Sequence, residues 1–74
     1  MSLQSERMKA GFSQQGLANA SGVSIWNIRH YEQGTRNIDG AGLDVLCKLA
    51  SVIGCTIYDL LESEELKELL KQVT

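Results

Sequence analysis

A proline-free chain of 74 residues, 43% apolar, only 5% aromatic and with a net charge of −2, has room for one small domain. At this length about 60 per cent of the unfolded surface can be buried, which suffices for a core but not for an enzyme cleft on top of a scaffold. No apolar stretch is long enough to cross a bilayer and no basic-then-apolar leader precedes a small-residue cleavage site, so a soluble, cytoplasmic protein with no membrane partner is expected.

Leucine clusters and scarce β-branched runs favour helices over sheets. Leu3, Arg7, Met8 and Ala10 belong to a first helix that a left-handed Gly11 can end, after which Phe12 turns into the core. Met1, Ser2 and Leu3 have the look of an expression scar, and no reading rests on them. Ser13 is placed to cap a second helix, SQQGLANAS, with Leu17, Ala18 and Ser21 on one face, before Gly22 breaks it. Gly16 in its interior costs about 1 kcal/mol relative to alanine. Ser24 opens a third helix that runs to Gln33 and stops at Gly34. Only Gly22 and Val23 separate these two short helices, which is the helix-turn-helix pattern.

Beyond the loop GTRNI, Asp39 is placed to cap a fourth helix whose Leu43, Leu46, Leu49, Ala50 and Ile53 keep helical spacing up to Gly54. Gly40 and Gly42 weaken its first turn. Thr56 and Asp59 have capping-box spacing and open a short fifth helix through Leu61. Ser63 then caps a tail with Glu64 and Glu65 where the helix dipole favours them and with Leu66, Leu69, Leu70 and Val73 on one stripe. The expected fold is all-α: a compact five-helix domain over 4–62 with the helix-turn-helix in its second and third helices, followed by an amphipathic C-terminal helix over 63–74.

Charge divides the chain. Up to Ile38, Arg7, Lys9, Arg29 and Arg36 against Glu6 and Glu32 leave a net +2. From Asp39 onward, Lys48, Lys67 and Lys71 against Asp39, Asp44, Asp59, Glu62, Glu64, Glu65 and Glu68 leave a net −4. One end can therefore attract a polyanion while the other repels it. Cys47 and Cys55, eight apart and with no CxxC pattern, read as reduced packing cysteines, and no metal or other cofactor is expected. The single histidine has no serine, cysteine or aspartate placed by a recognisable motif to work with, so no catalytic residues are expected and the chain is not read as an enzyme.

At about 100 degrees per residue the third helix has two faces. Ile28 and Tyr31 turn inward with Val23, Leu17 and Ala18. Trp26, Arg29, His30 and Gln33 occupy the opposite arc with Ile25 at its border, and a tryptophan left outside a core needs a partner. An α-helix fits the DNA major groove lengthwise. There Arg29 can give two hydrogen bonds to guanine O6 and N7, His30 can donate to a purine N7, and Ile25 or Trp26 can press on a thymine methyl, each good contact being worth about 1–3 kcal/mol of discrimination.

The stretch QQGLANASGVSIWNIRHYEQGTRNI, Gln14 to Ile38, resembles the Cro/CI-type helix-turn-helix of the XRE, or lambda-repressor-like, family. The similarity lies in Gln14 opening the second helix, Ala18 four residues on, GVS at 22–24, Ile28, and YEQG with its basic loop. LCKLASVIGCTIYDLL, residues 46–61, is similar to that family's last two helices. The resemblance implies double-stranded DNA as the partner, with base contacts from Ile25, Trp26 and His30 and with Ser24 at the groove edge. It implies phosphate contacts from Gln14, Gln33, Gly34, Thr35, Arg36 and Asn37, partly through backbone N–H groups. It also implies a structural ion pair between Arg7 and Glu32 that sets the angle of the third helix.

Plainer readings stand beside these. Trp26 is either part of the DNA surface or a half-exposed residue covering the second helix or a dimer contact; Arg29 is either a base reader or paired with a neighbouring acid. The stripe Leu66, Leu69, Leu70 and Val73 must bury itself, either on its own domain or against a second copy, because a helix this short is marginal in water. A homodimer is expected, since two-fold pairs set their recognition helices about 34–36 Å apart, one turn of DNA. The expected function is a sequence-specific DNA-binding transcriptional regulator, a repressor that occupies an operator. The alternative is an antitoxin-like module whose acidic half and leucine tail bind a toxin while the helix-turn-helix regulates its own promoter.

Overall fold

Hydroxyl caps and left-handed glycines cut the chain into helices. The computed structural model describes residues 2–73, within which the elements are α1 (Leu3–Lys9), α2 (Gln14–Ser21), α3 (Ile25–Gln33), a 3₁₀ turn (Ile38–Gly40), α4 (Leu43–Ile53), α5 (Ile57–Leu60) and α6 (Glu64–Val73). No strand occurs among the described residues, and the all-α reading with five helices and a sixth at the end holds.

Ser13 and Ser24 cap α2 and α3, their hydroxyls accepting from the N–H groups of Gly16 and Asn27 at 2.9 and 3.1 Å. Between them Gly22, at φ 77°, reverses the chain in a conformation that a Cβ disfavours, and its N–H bonds the Ala18 carbonyl. Val23 then drops into the core and α3 starts at a new angle across α2. Leu17 of α2, Ile28 of α3, Ile38 of the 3₁₀ turn, Leu49 of α4 and Leu60 of α5 are almost wholly excluded from solvent. With Tyr31 also buried, α3 is fixed by its inner face, which leaves its outer face to solvent.

Leu3 belongs to the core, only 3% exposed, and Ser2 and Ser5 form a reciprocal capping box, Ser5 N–H to Ser2 Oγ at 3.1 Å and Ser2 N–H to Ser5 Oγ at 2.9 Å. Other expectations change. Asp39 does not cap α4. It lies in the 3₁₀ turn, which Asn37 caps, while Gly42 occupies the N-cap position of α4 without a side-chain bond. The Asp39 carboxylate instead accepts from the N–H groups of Glu62 and Ser63, at 2.7 and 3.0 Å, tying the entry of α6 to the middle of the chain. Leu43, the first residue of α4, is 69% exposed because the turn that carries it extends past the core.

The stripe on α6 also divides. Ser63 caps the helix through the Leu66 N–H. Leu70 packs against the core and Lys67 is buried, with the Lys67 and Lys71 ammonium groups each 5.5 Å from the Tyr58 ring centre. Leu66, Leu69 and Val73 remain exposed. The helix thus rests on its domain along one edge and presents the rest of its apolar stripe outward.

Candidate nucleic-acid interface

The angle of α3 is held by a buried polar node. Arg7 on α1 donates from Nε and Nη2 to the two carboxylate oxygens of Glu32 on α3, at 2.8 and 3.0 Å, and from Nη1 to the Phe12 carbonyl at 2.7 Å. Gln14, the first residue of α2, donates from Nε2 to the same carboxylate at 3.1 Å. The Arg7 and Glu32 side chains are only 10% and 4% exposed. A planar guanidinium matches a carboxylate with two parallel bonds, which fixes orientation as well as distance. The Glu32 hydrogen bond holds the Arg7 proton more tightly, against the opposing effect of burial. One carboxylate therefore joins α1, α2 and α3. This is also where the structure places the Gln14 amide: turned to Glu32.

On the outer face of α3, Trp26 is 57% exposed, Arg29 and Gln33 are exposed, and Ile25 and His30 are half-buried. These side chains lie close together. The Trp26 and His30 rings, one helical turn apart, have centres 4.0 Å apart and planes tilted by 50°. The Arg36 guanidinium lies 5.8 Å from the Trp26 ring centre and donates from Nη1 to Asn27 Oδ1 at 3.0 Å. His30 Nδ1 is in hydrogen-bond contact with the Thr35 hydroxyl. Arg29 forms no hydrogen bond or ion pair among the described residues, so the reading in which a neighbouring acid occupies it has no support here. Asn27 escaped the sequence reading because its partner, Arg36, lies beyond the end of the helix, at a separation that no helical period marks.

The loop after α3 folds back on the end of the helix. The N–H groups of Gly34, Thr35 and Arg36 are directed to the Tyr31 and His30 carbonyls and close the C-terminus of α3 around the left-handed Gly34, φ 80°. These amides thereby supply the donors that the last carbonyls of a helix need. Asn37 accepts the Asp39 N–H at its side-chain Oδ1, at 2.9 Å. Ser24 uses its hydroxyl oxygen as the cap of α3. What the face offers a ligand is thus a row of side-chain donors, Arg29, His30, Gln33 and Arg36, around an exposed indole, on the half of the molecule with a net +2 charge. Such a row on a protruding helix suits base edges and phosphates, the first specifying and the second positioning.

No helix among the described residues is long and apolar enough to cross a membrane. Neither a curated protein nor a solved structure matches the chain significantly. A helix-turn-helix family model, by contrast, matches residues 3–60, from the first turn of α1 to the last residue of α5. That family consists of DNA-binding regulatory domains and is not typically enzymatic. The capped α2, the glycine turn, the outward face of α3 and this match across most of the chain establish that the protein belongs to the XRE, Cro/CI-like helix-turn-helix family.

Proposed function

We propose that the protein is a sequence-specific transcriptional repressor that occupies an operator as a homodimer, with α3 of each copy in the major groove. The observation that carries this reading is Arg29: a guanidinium side chain, exposed and without a partner among the described residues, on the face of α3 opposite Ile28 and Tyr31, flanked by Trp26, His30 and Gln33. Arg29 reads a guanine, Ile25 and Trp26 meet the apolar surface of a neighbouring base, and Gln33, Arg36 and Asn37 hold phosphates. The exposed Leu66, Leu69 and Val73 of α6 supply the contact between copies. The antitoxin alternative draws on the same leucines together with the net −4 half.

Fluorescence anisotropy on a duplex from the chain's own upstream region and on random-sequence duplexes, at two salt concentrations, tests the reading. Wild type is expected to prefer the upstream duplex and to weaken steeply with salt as counterions are released. Arg29→Ala is expected to lose about 5- to 150-fold on that duplex, the equivalent of roughly 1–3 kcal/mol. Sedimentation of the same samples is expected to give a dimer that Leu69→Glu dissociates. Equal affinity of wild type and Arg29→Ala for every duplex overturns the major-groove role, and a monomer in both samples leaves the α6 leucines to a partner of another chain.

A further inference from the structure

His30 is held on two sides. Its ring packs against that of Trp26 at a tilt of 50°, 4.0 Å between centres, and its Nδ1 meets the Thr35 hydroxyl just past the end of the helix. Exposed side chains on a helix ordinarily keep their rotamer freedom, so two restraints on one imidazole call for a reason. A neutral imidazole has one donor nitrogen and one acceptor, and the hydrogen bond at one nitrogen decides what the other presents.

The Thr35 hydroxyl has a single proton and two places for it within reach. Its oxygen lies 3.3 Å from the His30 carbonyl, but that oxygen already accepts the backbone N–H of Thr35 at 3.1 Å and of Arg36 at 3.2 Å, and the Gly34 N–H points at it as well. That carbonyl is therefore shared among several donors, whereas Nδ1 has no partner other than the Thr35 hydroxyl among the described residues, and the tautomer decides which of those two atoms donates. We infer that Thr35 and Trp26 are positioning residues for His30: Thr35 donates to Nδ1, the ring carries its proton on Nε2, and that N–H is aimed outward as a fixed donor to a major-groove acceptor. Nε2 has no partner among the described residues.

This deepens the proposed DNA reading and rests on it. A donor at that point can donate to guanine N7 or O6, adenine N7 or thymine O4, and is opposed by the amino group of cytosine. Selectivity at one base position is thus placed in a threonine that the family resemblance assigns to the phosphate backbone, and Trp26 acts by holding the imidazole.

The chain contains one histidine, so its ring nitrogens can be observed without assignment ambiguity. Long-range proton–nitrogen correlation spectra of the free protein at pH 8, above the range in which imidazoles ordinarily titrate, are expected to show the proton on Nε2; a proton on Nδ1 overturns the inference. Selection from a randomised duplex library, with wild type, Thr35→Val and Thr35→Ser, tests the readout. Wild type is expected to exclude cytosine at one position. Thr35→Val is expected to lose about fivefold to tenfold of that preference, the size of one direct hydrogen bond, while binding random duplexes as before, and Thr35→Ser to retain it. If Thr35 held a phosphate instead, Thr35→Val would weaken all duplexes alike and flatten the salt dependence, which sinks the inference. If wild type selects no sequence, the regulator reading and the base readout fall together, whereas the nitrogen spectrum still decides whether Thr35 holds the ring.

Discussion

Two carboxylates join distant parts of this chain, and they do so in opposite surroundings. Glu32 is buried, faces a guanidinium, and gathers α1, α2 and α3 around one point. Asp39 is half-exposed, forms no ion pair among the described residues, and accepts two backbone N–H groups at the entry of α6. A surface cap can be replaced by water. A buried pair cannot, since removing one partner strands the other charge away from solvent. The angle of α3 is therefore guarded far more strongly than the attachment of the C-terminal helix.

The sharpest way to break that contrast is to remove each carboxylate in turn. Glu32→Ala is expected to destabilise the fold by about 3–5 kcal/mol in urea denaturation, because Arg7 is left buried without its counter-charge. A loss below about 1 kcal/mol would mean that water reaches Arg7 and that the node behaves as a surface pair.

Asp39→Ala comes next, with an expected loss of about 1 kcal/mol, the usual effect of deleting a side-chain cap. Its signature is local: the amide protons of Glu62 and Ser63 are expected to exchange faster, while those of Ile28 and Tyr31 in the core of α3 keep their protection. A loss as large as that of Glu32→Ala, or exchange spreading into α3, removes the distinction between the two joints.

Much of this was legible beforehand, for identifiable reasons. Ser13, Ser24 and Thr56 announced helix starts because a short hydroxyl side chain satisfies an N-terminal amide locally, and Gly22 and Gly34 announced stops because few other residues tolerate their φ. The inner face of α3 followed from period alone. Asp39 misled because an acid before an apolar run has the local signature of a cap, while its actual partners, Glu62 and Ser63, lie more than 20 residues away and leave no local trace. The clasp of His30 by Thr35 and of Trp26 by Arg36 was hidden for the same reason. It depends on the loop turning back over the last turn of α3, which Gly34 permits without specifying where the side chains then fall.

The two cysteines sharpen the contrast at the junction where the halves meet, where α5 packs on α1. Cys55 lies there, half-buried, its sulfur among the carboxylates of Glu6 and Asp59 with all three ligand atoms within 4.8 Å of one another. Burial first, and then the negative charges of Glu6 and Asp59, push its thiol up from the ordinary range, so little of the reactive thiolate forms. Cys47 lies exposed on α4. Iodoacetamide at pH 8 is therefore expected to modify Cys47 about tenfold faster than Cys55, a ratio that peptide mass mapping over time measures. Glu6→Gln removes one of the charges opposing the thiolate and is expected to raise the Cys55 rate by a smaller factor while leaving Cys47 unchanged. Equal rates in the wild type would mean that α5 parts from α1 on the timescale of labelling. In that case the seam between the halves, rather than the attachment of α6, is the weakest joint of the fold.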